Sequence, residues 1–287
     1  MASMRDIKRR KESIQSTEQI TKAMKLVSTV KLQKSRTKAE TTKPYFDMMY
    51  QTIRAMLEKS GGIRHPYLTP GASGKKVVIA ISSNRGLAGG YNSNIVRLVA
   101  GGDFKPEDTV IYAVGRKGKD GLLRKGFEIR KDYSDVINAP LYHDAVEITT
   151  ELLDSFQKGE VSEIYLAYTS FKNTVTHIPK LIKLLPVTLE EQEEKKENAA
   201  PVAPMNYEPN EEEALNAIIP KYISSMIYGA FMESVASENG ARMNAMDNAT
   251  SNAEEMIEDL SLQYNRARQG SITQELTEII AGANAIG

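Results

Sequence analysis

The first sixty residues carry a narrow stripe of apolar side chains at helical spacing. Steps of three, four or their sums separate these side chains, and Lys, Arg, Ser, Thr and Gln lie between them. The stripe consists of Met4, Ile7, Ile14, Ile20, Met24, Val27 and Val30. So narrow a face is typical of a helix that pairs with one other helix. The pattern predicts one long helix over residues 1–60, with a bend near Pro44 and a stop at Gly61–Gly62.

After a linker rich in Pro and Gly (residues 63–74), the pattern changes to short apolar runs that alternate with helix-like stretches. Strands are predicted at 75–82, 109–114 and 164–170, and helices at 92–100, 117–125 and 144–157. This alternation is typical of parallel strands joined by crossover helices. Residues 75–187 are therefore expected to form a small Rossmann-like α/β domain.

Helical periodicity returns at residue 210 and continues to the end, after an acidic segment that contains Pro (residues 188–209). The last helix is rich in small, amide and charged residues between 237 and 252, and Asn and Gly are poor helix formers. A partner must hold such a helix, and the first helix is available. The expected fold is α/β plus a long antiparallel coiled coil formed by helices 1–60 and 210–287, with the α/β domain inserted between them.

Charge is balanced overall but uneven along the chain. Thirty-seven basic side chains offset 37 acidic ones, whereas residues 1–40 carry eleven basic against four acidic side chains. A positive end suggests an acidic partner or a membrane surface. The absence of Cys and the presence of only three scattered His residues argue against disulfides and a metal site. No apolar run is long enough to cross a membrane.

An apolar stripe runs to the end of the last helix. Its members stand at i, i+4, i+7, i+8 and i+11, and they are Ile272, Leu276, Ile279, Ile280 and Ala283. A tip that extends beyond its helical partner must bury such a stripe in another protein. The alternative is a tail that folds back on its own domain.

The Gly-rich loop Asn84–Asn92 follows the first predicted strand and precedes a helix, as phosphate-binding loops do. Its sequence, NRGLAGGYN, matches neither the dinucleotide-binding fingerprint nor the P-loop. We therefore expect a tight strand-to-helix turn here, and no cofactor.

Several separate motifs resemble one known family. The string ITQELTEIIAGANA (272–285) is similar to the C-terminal signature of the γ subunit of F-type ATP synthases. Further similar strings follow the family's order along the whole chain: MRDI (4–7), ITKAMKLVS (20–28), SNRGLAGGYN (83–92), SENGARMNAM (237–246) and LQYNRAR (262–268). The Glu-rich stretch 190–204 departs from the family by its length and acidity.

The resemblance implies a central rotor shaft that has no catalytic site of its own. One copy would turn inside a ring of α and β subunits and couple rotation of a membrane c-ring to ATP synthesis or hydrolysis at β. The implied contacts with the ring are Lys22, Met24, Lys25, Arg242, Arg268, Gln269, Thr273 and Glu275. The stripe at 272–283 would turn in an apolar sleeve.

The resemblance also implies a foot, formed by the α/β domain and the segment near Tyr207, that meets the ε subunit and the c-ring. With no Cys and no targeting segment, the sequence favours a bacterial complex. The chain would then be a peripheral protein on the cytoplasmic side of the cell membrane.

Two other functions remain open from the residues alone. An enzyme built on the α/β domain would need a phosphate loop or a titratable pair at strand ends. A coiled-coil scaffold for DNA or a membrane would need basic density along the coil, but that density falls after Lys38. No nucleic-acid partner is therefore expected.

Overall fold

The computed structural model describes residues 4–59, 65–69, 74–187 and 210–286. The two longest elements are the terminal helices, α1 with 56 residues and α5 with 76. The helices are α1 (Met4–Lys59), α2 (Tyr91–Ala100), α3 (Arg116–Leu123), α4 (Tyr142–Gln157) and α5 (Glu211–Ile286). The strands are β1 (Lys75–Ile81), β2 (Thr109–Val114), β3 (Glu128–Asp132), β4 (Val161–Phe171) and β5 (His177–Leu185).

The five strands form one mixed sheet in the order β3-β2-β1-β4-β5. The first four strands are parallel, and β5 joins β4 as an antiparallel edge strand. Helices connect the parallel strands, as such connections require. The predicted fold class is therefore confirmed, with one addition: the sheet ends in an antiparallel hairpin.

Each face of the sheet has its own apolar core. On one face, Val78 and Ala80 of β1 pack with Ile95 of α2 and Leu122 of α3. On the other face, the alternate residues of β1, including Ile79, pack with α4 and with parts of α1 and α5. Because both faces are covered, β1 and β2 are almost wholly buried and read as continuous apolar runs.

The structure divides into two compact units. One unit consists of Met1–Thr29 and Arg242–Gly287, the two ends of the chain, and the other is Val30–Ala241. The sheet and both cores belong to the second unit. In the parts of the chain that the structure describes, no helix is long and apolar enough to span a bilayer.

Candidate functional site: the paired ends and the tip

Two ion pairs link α1 with α5 in the unit formed by the chain ends. Lys22 Nζ lies 2.9 Å from the carboxylate of Glu254, and Lys25 Nζ lies 2.5 Å from that of Asp247. Residue numbers rise along α1 as they fall along α5. The helices are therefore antiparallel, as predicted.

Small and polar residues occupy much of the seam between these helices. On α1 the seam repeats every seven residues, through Ile7, the half-buried Ile14, Thr21 and Ser28. Its buried positions on α5 are Met246, Thr250, Ala253 and Leu260. These steps of seven, or of four and three, are those of a coiled coil. The hydroxyl of Thr250 donates to that of Thr21 at 2.8 Å inside the seam.

The predicted apolar stripe of α1 is only partly its buried face. Ile7 is buried, but Ile20, Val27 and Val30 are exposed. The prediction for these three residues was wrong because hydroxyl-bearing residues, Thr21 and Ser28, occupy the seam in their place. Ile20, Val27 and Leu26 are thus exposed and form an outward apolar surface on α1. This surface was not predicted from the sequence. The seven-residue repeat of seam positions was the signal that could have found it.

The predicted contact residues on α1 lie beside the seam. Lys22 bridges the carboxylates of Glu18 and Glu254, and both hydrogen bonds raise its pKa. Lys25 is paired with Asp247, and Met24 is half-buried. Two of the three residues are therefore already engaged within the coiled coil.

The apolar stripe at the end of α5 is uncovered. Ile272 is 49% exposed, Leu276 55%, Ile279 67% and Ile280 59%, and Ala283 is exposed as well. The part of the chain that the structure describes supplies nothing that folds back over it. An uncovered apolar stripe of this length is typical of a surface that another protein covers.

Most of the predicted polar contacts surround this stripe. Arg268, Gln269, Thr273 and Glu275 are all exposed on α5, with the Thr273 hydroxyl donating to the Gln269 carbonyl at 2.9 Å. Arg242 differs, because it is buried. The structure thus brings the first four residues together on the last turns of α5 and leaves Arg242 near the middle of the helix. Tyr207 lies outside the described residues.

Three backbone amides around the loop after β1 already donate to side chains. The side-chain oxygen of Asn92 accepts hydrogen bonds from the amide and the hydroxyl of Ser83, each at 2.9 Å. At the start of α3, the amide of Arg116 donates to the Asn84 side chain and that of Gly118 to the Ser82 hydroxyl. These amides are therefore not available to a phosphate. Among the described residues, no group of His, Asp and Glu side chains is placed to hold a metal ion.

Comparison with known proteins gives a consistent result across the chain. The ATP synthase family model matches residues 3–286. The ATP synthase gamma chain of Lachnoclostridium phytofermentans is 69% identical over 290 residues, covering 100% of both chains.

Two solved structures contain similar chains. One, from the central stalk and c-ring of the Tetrahymena thermophila mitochondrial ATP synthase, has a TM-score of 0.58 and 26% identity, covering 80% of this chain and 99% of that one. The other, from the Euglena gracilis mitochondrial ATP synthase, has a TM-score of 0.67 and covers 99% of this chain and 94% of that one; at 19% identity it supports the fold. The chain therefore belongs to the gamma chains of F-type ATP synthase, the rotor subunits of the central stalk.

Proposed function

We propose that this chain, as one copy per complex, transmits rotation between a membrane c-ring and the catalytic β subunits and carries no catalytic residue or cofactor of its own. The exposed apolar stripe at the end of α5 carries this proposal. A surface of this kind needs a partner, and apolar packing without directional bonds lets one surface slide over another. If the tip lies in an apolar sleeve formed by the α and β subunits, its apolar stripe is covered and the tip can still rotate.

The polar residues next to the stripe suit contacts that depend on the angle of rotation. Arg268, Gln269, Thr273 and Glu275 offer charged and amide groups that are free of ion pairs with distant parts of the described chain. Each hydrogen bond to a charged group contributes about 1.5–3 kcal/mol. Contacts of that energy can form at one angle of rotation and break at the next. Each contact then stabilises one conformation of a catalytic site over another.

A second contact region is proposed on α1. Lys22, Met24 and Lys25 adjoin the outward apolar surface of Ile20 and Val27. Basic and apolar groups side by side fit an acidic loop that also carries apolar residues. We propose that such loops of the catalytic ring contact this region. We also propose that Arg242 of α5 contacts the same ring.

The α/β domain is proposed to form the foot. The α/β domain of residues 75–187, the acidic segment 188–209 and Tyr207 within it would meet the ε subunit and the c-ring. The N-terminal helix over residues 1–60 and the C-terminal helix over 210–287 would form the shaft. The complex would lie on the cytoplasmic side of the cell membrane, with this chain as a peripheral component.

Reconstitution with α and β subunits tests the proposal. The full-length chain should co-assemble in one copy and support ATP hydrolysis, whereas a chain that ends after Gln269 should bind the ring more weakly or yield less torque. A matched control replaces exposed Leu123 of α3 with Ser, which leaves the tip intact and should assemble normally. A chain that stays monomeric and itself binds or hydrolyses a nucleotide would overturn the proposal and favour an enzyme.

A further inference from the structure

The β4–β5 hairpin is docked on α5 by hydrogen bonds of both backbone and side chains. The Thr169 amide donates to the Ser234 hydroxyl at 3.4 Å, and the Ser237 hydroxyl donates to the Thr169 carbonyl at 3.2 Å. Further along, the Phe171 amide donates to the Glu233 carboxylate at 3.1 Å. These bonds hold the end of β4 against one face of α5.

A glycine in α5 leaves a notch that the hairpin fills. A Cβ atom built on Gly240 would lie 2.7 Å from Cε1 and 3.1 Å from Nε2 of His177, the first residue of β5. Real Cβ atoms essentially never lie as close to another atom as 2.7 Å, and 3.1 Å is itself a tight contact. Because glycine is among the poorest residues for a helix interior, its presence here is explained by the room that the imidazole ring occupies.

The ring of His177 lies in a setting that suits its neutral form. Both ring nitrogens are inaccessible to water, and neither has a hydrogen-bond partner of good geometry among the described residues. The Phe171 ring lies 5.9 Å away. Burial lowers the pKa of His177, and the nearby backbone of Thr174 opposes this shift only in part.

Charged groups occur on each element around the ring. The hairpin turn carries Lys172, β5 carries Lys180, and α5 carries Glu233 and Glu238. The Glu233 carboxylate accepts a hydrogen bond from the Phe171 amide, so this carboxylate also helps to hold the hairpin on α5. Any acid response of the hairpin must therefore be divided between an imidazole and a carboxylate.

We propose that His177 is a pH-sensitive latch: its neutral ring fills the Gly240 notch and holds the end of the hairpin, residues 169–177, on α5, and proton binding releases that end. A charged imidazolium needs water or strong hydrogen-bond acceptors, whereas both ring nitrogens are buried and the Thr174 backbone only partly offsets that burial. Release exposes the ring to water while the remainder of the sheet stays folded.

The direction of the pH effect follows from the lowered pKa. The undocked hairpin has the higher histidine pKa, so it binds a proton first as the pH falls. Docking is therefore strongest above the ordinary histidine pKa of about 6.5, weakens below it, and levels off below the pKa of the docked form.

Hydrogen–deuterium exchange of the full-length chain tests the latch. Protection factors for residues 169–177, corrected for intrinsic exchange, should fall about three- to tenfold between about pH 7.5 and about pH 5.5, while those of β1 stay constant. In His177→Gln the hairpin should show no such fall. An equal fall in wild type and variant, or none in wild type, would overturn the proposal.

Two further variants separate the contributions. Gly240→Ala fills the notch and should lower hairpin protection at every pH; protection equal to wild type would contradict the close fit. Glu233→Gln removes the facing carboxylate and should keep the pH response. A response that disappears in Glu233→Gln but persists in His177→Gln would assign it to the carboxylate and overturn the latch.

Discussion

The hydroxyls of Thr21 and Thr250 meet at 2.8 Å inside the coiled coil, and both side chains are buried. The Thr21 hydroxyl also reaches the Glu18 carbonyl, and that of Thr250 the Met246 carbonyl. The seam thus contains a directional bond at a position where coiled coils usually place an apolar residue. Such a bond stabilises one register of the two helices over its alternatives.

A double-mutant cycle measures this bond. Thr21→Val keeps the shape but leaves Thr250 without that partner, so the free energy of unfolding should fall by about 1 kcal/mol. Adding Thr250→Val should cost little more, because both partners are then apolar. Thermal unfolding followed by helical circular dichroism gives the coupling energy. Strictly additive effects would show that the hydroxyls do not interact.

The turn after β2 should tolerate no side chain. Gly115 has φ +116°, and a Cβ there would lie 2.3 Å from the Ser82 carbonyl oxygen. Gly115→Ala should therefore lower the free energy of unfolding by about 3 kcal/mol or more. Gly89 is a matched control, because it also has positive φ, +54°, but nothing lies within 4 Å of the added Cβ.

Gly89→Ala should cost only about 1–2 kcal/mol, the price of the left-handed conformation alone. Urea denaturation followed by tyrosine fluorescence compares the two variants, since the chain has 13 Tyr and no Trp. Equal losses for Gly115→Ala and Gly89→Ala would contradict the predicted clash with Ser82.

Glu151 should contribute stability only above acidic pH. Burial alone would raise its pKa, but hydrogen bonds from Tyr133 and Lys131 outweigh that effect and lower it below the ordinary value of 4.5. A carboxylate with a lowered pKa stabilises the fold above its unfolded-state pKa and loses that contribution as the pH falls through its folded-state pKa.

Glu151→Gln should therefore lower the free energy of unfolding by about 1 kcal/mol near pH 7, and by clearly less near pH 3. Urea midpoints of wild type and variant at the two pH values provide the measurement. A difference that does not change with pH would show that the charge of Glu151 has no role.

Point substitutions at the tip should separate folding from assembly. Ile279→Ser combined with Ile280→Ser changes two exposed side chains, so the free energy of unfolding should stay within about 0.5 kcal/mol of wild type. Binding to the ring should weaken by at least about tenfold, because two apolar side chains no longer gain from burial. Co-elution with α and β subunits at limiting concentration measures the loss. Unchanged binding would argue against the tip as a bearing surface.

Most of the fold was predictable from apolar runs. Strands β1, β2 and β4 are buried on both faces, so their sequences stand out from the polar chain around them. The edge strands β3 and β5 were missed. Strand β3 reads EIRKD and is mainly exposed, and β5 contains Pro179 and two Lys residues. An edge strand tolerates such residues because neighbours cover it on one side only.

The part of the candidate site that consists of apolar residues was predictable from the sequence. The part that consists of polar residues was not. The stripe from Ile272 to Ala283 was found because its apolar residues recur at helical spacing. The seam of α1 was assigned to Ile20, Val27 and Val30, because periodicity alone does not reveal that Thr21 and Ser28 are buried. Which polar positions face a partner becomes known only when the partner helix is in place.

One compact unit combines residues 1–29 with residues 242–287, so it can form only after the second of these segments has been synthesised. Thr21 and Thr250 are 229 positions apart, so the first helical stretch leaves the ribosome long before its partner exists. The second unit, Val30–Ala241, lies between these segments in the sequence, so its synthesis is finished before that of residues 242–287 begins. Loop closure over such a separation is slow compared with local folding. A chain that terminates before residue 242 therefore cannot form this unit.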